Sequence, residues 1–227
     1  MKTQAIVPAA GSGSRFNSTT LKSLALIKDK PLFVYGLEVL QDSEHIDSIV
    51  LVAPKEELTE FERNVRKYRL RKVTRIIAGG TTRSQSVYHG LKVIDEDTDI
   101  VLVHDGARPL VTHTIVDGAI TLCYTQAAVV VAVPVKSTIK RVDPGRLVVK
   151  ETLDRGELWE VQTPQVFKKD ILVKAYQAHH GEDPTDEAAL VEKFGVEVKV
   201  MEGDYLNLKI TTKEDFFLAQ ALLDLRP

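Results

Sequence analysis

A single cysteine, Cys123, stands in the 227 residues. An internal disulfide and a cysteine-rich metal site are excluded at once. The lone thiol lies in an apolar helical run, so it reads as a buried, inert side chain rather than a nucleophile. A surplus of charge is also missing. Thirty basic residues face 32 acidic ones, for a net charge of −2, and a general nucleic-acid-binding surface is not expected. No stretch approaches the ~20 apolar residues a membrane helix needs, so no membrane partner is expected either. The chain enters a strand pattern at once, which leaves no signal or transit peptide to expect and points to the cytoplasm. Repeats and low-complexity tracts are lacking. What remains is a hydrophobic fraction of 44%, ordinary for a globular protein with a full core, at a length that suits one α/β domain.

Short β-branched runs alternate with amphipathic segments. Strands are expected at Ala5–Val7, Ser48–Ala53, Thr74–Ala78, Ile100–His104, Ala128–Val133 and Val196–Glu202. Several are apolar almost throughout, as strands covered on both faces are. Helices are expected at Leu32–Gln41, Thr59–Tyr68, Arg83–Ile94, Val111–Thr125, Lys169–His179, Asp186–Phe194 and Lys213–Leu225. This alternation predicts an α/β fold: a doubly wound, mostly parallel, Rossmann-like sheet with helices on both faces. One segment breaks it. Val135–Leu153 carries a turn at Asp143-Pro144-Gly145-Arg146 between Thr138–Val142 and Leu147–Thr152, the pattern of a β-hairpin. A polar hairpin with little core must lean on something, either the site or a second subunit. The chain thus reads as one domain, 1–227, with 135–153 as a protruding arm.

The richest stretch is Pro8-Ala9-Ala10-Gly11-Ser12-Gly13-Ser14-Arg15, followed by Lys22. Small side chains after a strand expose backbone N–H groups that line up on a phosphate, and two cations join them. The third glycine of the dinucleotide fingerprint is replaced by Phe16, and Gly13 is followed by Ser14-Arg15 rather than Gly-Lys-Ser/Thr. Hydride transfer and ATP hydrolysis are both weakened by these departures. Ligands in such sheets sit at the carboxyl ends of the strands. The opening loop, the Gly79-Gly80 loop and the loop after His104 should therefore meet at one rim. Gly80, Thr81 and Ser86 read either as a turn with an N-cap or as contacts to a base or sugar. Asp105, at the end of an apolar strand, is placed for Mg²⁺ or ribose hydroxyls, with Arg108 bracing an anion; the bland alternative pairs the two. Thr185-Asp186-Glu187 reads as a helix N-terminus. Asn207, Lys209 and Thr211 alternate like a strand with a solvated face.

These motifs, with Thr163-Pro164-Gln165 and Thr185-Asp186-Glu187-Ala188, resemble in order those of the 2-C-methyl-D-erythritol 4-phosphate cytidylyltransferase family, over nearly the whole chain. The resemblance implies transfer of CMP from CTP to the substrate phosphate, in the non-mevalonate route to isoprenoids, with Mg²⁺ as cofactor. It implies that Arg15 and Lys22 stabilise charge on the CTP phosphates and that Arg155 and Lys209 position the acceptor phosphate. Pro8, Ala9, Ala10, Gly11, Gly13, Gly80, Thr81, Ser86, Asp105 and Gly106 would bind the nucleotide. Arg108, Thr138 and Thr163 would lie near the acceptor, and Asp105 would organise the metal. The arm would make a homodimer and bring Thr138 and Arg155 toward the neighbouring site. Leu21-Lys22-Ser23 departs from the family's usual Pro-Lys-Gln, and Gly106 stands where alanine is commoner. Two other readings are a cytidylyltransferase for another polyol phosphate, such as ribitol 5-phosphate, and a nucleotide-binding sensor without catalysis. The first usually opens with Leu-Ala-Gly-Gly, and the second should lack Arg15, Lys22 or Asp105.

Overall fold

The computed structural model describes residues 1–11, 21–180 and 183–225. Its core is a sheet of seven strands. These are β1 (Thr3–Pro8), β4 (Ser48–Ala53), β5 (Val73–Ala78), β6 (Ile100–Val103), β7 (Ala128–Pro134), β10 (Trp159–Lys168) and β11 (Lys199–Glu202). They lie in the order β11-β7-β10-β6-β1-β4-β5. All pairs are parallel except those made by β10, which runs antiparallel between β6 and β7. Two short ladders stand apart: β2 (Leu26–Ile27) with β3 (Lys30–Pro31), and β8 (Lys140–Asp143) with β9 (Val148–Thr152).

The sheet is covered on both faces because its strands are apolar on both faces. Along β1, Ala5 and Val7 join one cluster and Ile6 the other, as side chains that alternate across a strand must. The first cluster takes Leu37 and Leu40 of α1 (Leu32–Asp42), Phe61 of α2 (Leu58–Lys67) and Val116 and Ile120 of α4 (His113–Cys123). The second takes Val87 of α3 (Arg83–Leu91), Leu172 of α5 (Lys169–Ala178) and Leu190 of α6 (Glu187–Lys193). Each fully buried Leu, Ile or Phe contributes about 1.5–3 kcal/mol. A smaller cluster seats α7 (Lys213–Leu225) through Ala219 on Ile27, Leu32, Leu110 and Ile210.

One strand is missed and two expectations need correction. The strand β10 is not foreseen by the sequence pattern, because Gln162-Thr163-Pro164-Gln165 interrupts its apolar residues with polar ones and a proline. The register shift between Val161 and Gln165 is where the ladder accommodates that proline. The segment around Asn207–Thr211 is not a sheet strand, and Asn207 is fully buried, its Nδ2 donating to the Thr163 carbonyl at 2.9 Å. The last expected strand begins at Lys199 rather than Val196. Within the arm β8 pairs with β9; every residue of β9 is exposed, and Asp143 Oδ1 closes its turn by accepting from the amides of Gly145 and Arg146.

Candidate active site

From β1 the chain steps one way to β4 and β5, then returns to the other side of β1 at β6. That reversal opens a crevice at the carboxyl ends of β1 and β6, the place where such sheets bind ligands. A pocket of about 480 Å³ lies there. Its walls are the loops that leave the strands. Pro8–Gly11 follows β1, Gly80–Arg83 follows β5, and Asp105–Ala107 follows β6; Lys22, Ser23, Ser86, Lys209 and Thr211 complete the lining.

Backbone bonds continue the sheet past the strand ends and hold these loops together. The Ala9 amide donates to the Val52 carbonyl at 2.8 Å, Gly79 to Ala53 at 2.9 Å and Gly106 to Pro8 at 3.1 Å. Gly79 is required by close approach: a Cβ there would sit 2.5 Å from the Ala10 Cβ and 2.8 Å from the Ser86 Oγ. The loop after β5 is folded by its own side chains. Gln85 Oε1 accepts from the Thr81 amide and hydroxyl, and Ser86 Oγ accepts from the Gly80 amide. Thr82 caps α3, its hydroxyl accepting from the Gln85 amide.

Lys22 stands on a 3₁₀ turn, Lys22–Leu24, and its Nζ donates to the Ile210 carbonyl at 2.8 Å. Ser23 ties that turn to the first loop by donating to the Ala9 carbonyl. Lys209 Nζ lies 2.6 Å from Asp105 Oδ2. The other oxygen of Asp105, Oδ1, accepts from Arg83 Nε at 2.8 Å, and Arg83 Nη1 reaches both oxygens of Glu187. Asp105 and Glu187 are almost wholly buried. Burial alone would raise the Asp105 pKa, but Arg83 and Lys209 outweigh it and hold the carboxyl well below the usual range. Burial and the Asp105 charge push Glu187 up, opposed only in part by Arg83.

Behind Asp105, His104 is fully buried. Its Nε2 lies 3.2 Å from the Arg108 carbonyl, which can only accept, so Nε2 carries the proton and Nδ1 accepts from the Thr163 hydroxyl at 3.1 Å. Burial drives its pKa down to about 4. Thr163 Oγ1 in turn accepts from the Asp105 amide at 3.0 Å and fixes the end of β6.

Of the residues expected from the sequence, Pro8, Ala9, Ala10, Gly11, Lys22, Gly80, Thr81, Ser86, Asp105, Gly106 and Lys209 line the pocket. Gly13 and Arg15 lie outside the described residues. Arg108 is not among the lining residues; it is buried, and its guanidinium donates to the carbonyls of Asn207 and Val161. Thr163 stands behind the wall. Thr138 and Arg155 are exposed at the arm, and Arg155 Nη1 donates to the Lys136 carbonyl. Sequence reasoning does not single out Ser23, Thr82 or Thr211 for the pocket, meets Arg83 only as the first residue of a helix, and takes Glu187 for a helix-start acid. Asp186 is the cap of α6. A cap acid and a buried ion-pair partner look alike in one sequence, so no signal separates them.

Three cations and one carboxylate on a pocket wall favour a polyanion. Set among small-residue loops at the strand ends of a doubly wound sheet, they fit a nucleotidyltransferase. The family model described as IspD, 2-C-methyl-D-erythritol 4-phosphate cytidylyltransferase, matches residues 3–225. The chain belongs to that family. It is 42% identical over 226 residues to the 2-C-methyl-D-erythritol 4-phosphate cytidylyltransferase of Caldanaerobacter subterraneus subsp. tengcongensis, covering 98% of this chain and 99% of that one. It is 43% identical to that of Alkaliphilus metalliredigens, covering 99% and 94%. The crystal structure of 4-diphosphocytidyl-2C-methyl-D-erythritol synthase from Anaerococcus prevotii superimposes with a TM-score of 0.85 at 31% identity, covering 98% of both chains. Among the described residues no helix is long and apolar enough to cross a membrane.

Proposed function

We propose that the protein transfers the cytidylyl group of CTP to the phosphate of 2-C-methyl-D-erythritol 4-phosphate, giving 4-diphosphocytidyl-2-C-methyl-D-erythritol and pyrophosphate. The observation that carries this reading is the convergence of Lys22, Lys209 and Asp105 on one pocket in a chain that matches the family almost end to end. An acceptor phosphate oxygen is the nucleophile. It is already anionic near neutral pH, since a phosphate monoester loses its second proton at about pH 6, so no general base is needed. Its bond to the α-phosphorus forms as the bond from that phosphorus to the bridging oxygen breaks, and pyrophosphate leaves with the electron pair.

The protein's task is orientation and charge. The loops Pro8–Gly11 and Gly80–Thr81 hold the nucleotide, Lys22 counters charge at the triphosphate, with Arg15 assigned the same task, and Lys209 meets the acceptor phosphate. The residues present fit a Mg²⁺ carried in on the nucleotide. Asp105 is the one carboxylate on the pocket wall, and no group of three or more metal-ligating side chains exists among the described residues. Mg²⁺ commonly takes one or two carboxylates and completes its shell with phosphates and water. When bound, it would draw negative charge from the transferring and leaving phosphates.

The working unit we propose is a cytoplasmic homodimer joined through the 135–153 arm, with Thr138 and Arg155 serving the partner's site. Its support is the exposed apolar surface of the arm, where Leu147 is 81% and Val149 53% exposed, on a two-stranded ladder that has no core of its own. Mixing inactive Lys22→Ala and Arg155→Ala proteins tests the exchange: sharing across a two-fold restores about a quarter of wild-type activity, and no recovery refutes it.

The reaction itself is tested by pyrophosphate release from CTP and Mg²⁺ with 2-C-methyl-D-erythritol 4-phosphate, beside ribitol 5-phosphate. Release with the first acceptor is expected. Release no greater than that of the Lys22→Ala protein sinks the reading, and preference for ribitol 5-phosphate reassigns the acceptor.

A further inference from the structure

We propose that Arg83 and Glu187 are positioning residues: a buried clamp that gives the two oxygens of Asp105 separate tasks and thereby sets the affinity for a divalent cation arriving with the nucleotide. The proposal rests on the nucleotidyl-transfer reading above.

The geometry separates an inner and an outer side of Asp105. On the inner side Arg83 Nε holds Oδ1 at 2.8 Å. Arg83 is itself immobilised, because Nη1 donates to both Glu187 oxygens at 2.9 and 2.8 Å. Glu187 is completely buried and accepts a third bond from the Tyr176 hydroxyl at 3.2 Å. On the outer side, Oδ2 meets the ammonium of Lys209, whose side chain is 36% exposed against 25% for Arg83. A flexible lysine is an exchangeable partner, whereas a forked arginine held between two carboxylates is not. Rotation of the carboxylate is therefore blocked, and one chosen oxygen faces the pocket.

Charge completes the argument. Arg83 and Lys209 balance Asp105 and Glu187. Without Glu187, the full guanidinium charge would stand 2.8 Å from Asp105 and cancel most of its attraction for an incoming cation. With Glu187 present, that charge is divided, and Asp105 remains an effective anion toward the pocket. Partners one step behind a metal ligand typically alter metal affinity about 10–100-fold when removed. A purely structural tie between the starts of α3 and α6 would have no such selectivity.

The experiment is calorimetric titration of α,β-methylene-CTP, which cannot transfer its cytidylyl group, with and without Mg²⁺. Wild type, Glu187→Gln and Arg83→Lys proteins are compared. The glutamine keeps the shape but not the charge, and the lysine cannot reach both carboxylates. In both variants the gain in affinity produced by Mg²⁺ should shrink about tenfold or more, while the Mg²⁺-free affinity of Glu187→Gln, which lies off the pocket wall, stays within about threefold. Equal losses with and without Mg²⁺ overturn the clamp and leave a structural tie. If one variant fails to fold by circular dichroism, the other carries the test; if both fail, the pair is structural and the proposal falls. Wild-type protein that binds the analogue under neither condition refutes the nucleotidyl-transfer reading itself.

Discussion

Replacing Gly79 by alanine should cripple catalysis through a single methyl group. The new Cβ would lie 2.5 Å from the Ala10 Cβ, 2.8 Å from the Ser86 Oγ and 3.4 Å from Val52 Cγ1. Carbon atoms in contact sit about 3.5–4.0 Å apart, so the loops after β1 and β5 must separate by about 1 Å. Neither loop yields freely. The Ala9 amide is bonded to Val52, and the Gly79 amide to Ala53. Overpacking of this kind costs about 1–3 kcal/mol, offset by about 0.4–1 kcal/mol because alanine restricts the unfolded chain. The net loss of about 1–2 kcal/mol lowers Tm by about 2–8 °C at this size. Catalysis suffers more, since a 1 Å misplacement of binding groups costs about 100-fold. Thermal unfolding and pyrophosphate release measure the two effects separately. A Gly79→Ala protein with kcat/KM within threefold of wild type would show that the spacing of these loops does not set the geometry of transfer.

Lys22→Ala and Lys209→Ala should each lower kcat/KM by about 10²–10³-fold; steady-state kinetics at saturating Mg²⁺ checks this, and a change below fivefold in either removes that lysine from the reaction. His104 makes stability pH-dependent. Its folded-state pKa of about 4 lies below the unfolded value of about 6.5, so the unfolded chain takes the proton first; stability is complete above about pH 6.5 and falls by about 3 kcal/mol toward pH 4. Denaturant titrations at pH 7, 5.5 and 4.5 should show the decline, and a His104→Gln protein with the same pH slope would refute it. Burial pushes the Cys123 thiol up to about 11, so thiol reagents at pH 7.5 should modify it only in denaturant; labelling of native protein within minutes contradicts that burial.

The parts of this molecule that are legible in its sequence are those dictated by local pattern. Apolar runs such as Ser48–Ala53 and Ala128–Pro134 are strands whatever surrounds them, and small-residue loops at their carboxyl ends mark the rim. What escapes depends on distant partners. The polar middle of β10 is tolerated because Gln162 donates to the Asp204 carbonyl and Gln165 to Asp186, contacts that no window of sequence contains. The sequence does not show that the Arg108 guanidinium reaches the carbonyls of Asn207 and Val161, 99 and 53 residues away. Glu187 lies 104 residues from Arg83, and only the fold makes them neighbours.

The reversed direction of β10 governs how the arm is attached. β7 ends at the rim at Pro134, β10 begins there at Trp159, and the two residues are paired, with the Val135 amide on the Leu158 carbonyl at 2.9 Å closing the junction. Chain leaves and re-enters the body at points one strand spacing apart, about 5 Å. That junction is a socket. Any insert whose ends meet at that spacing can be grafted there without disturbing the seven-stranded sheet. A longer arm, a shorter one or a foreign module would spring from the same rim as this one does. The fold of the sheet and the length of the arm are thus open to redesign independently.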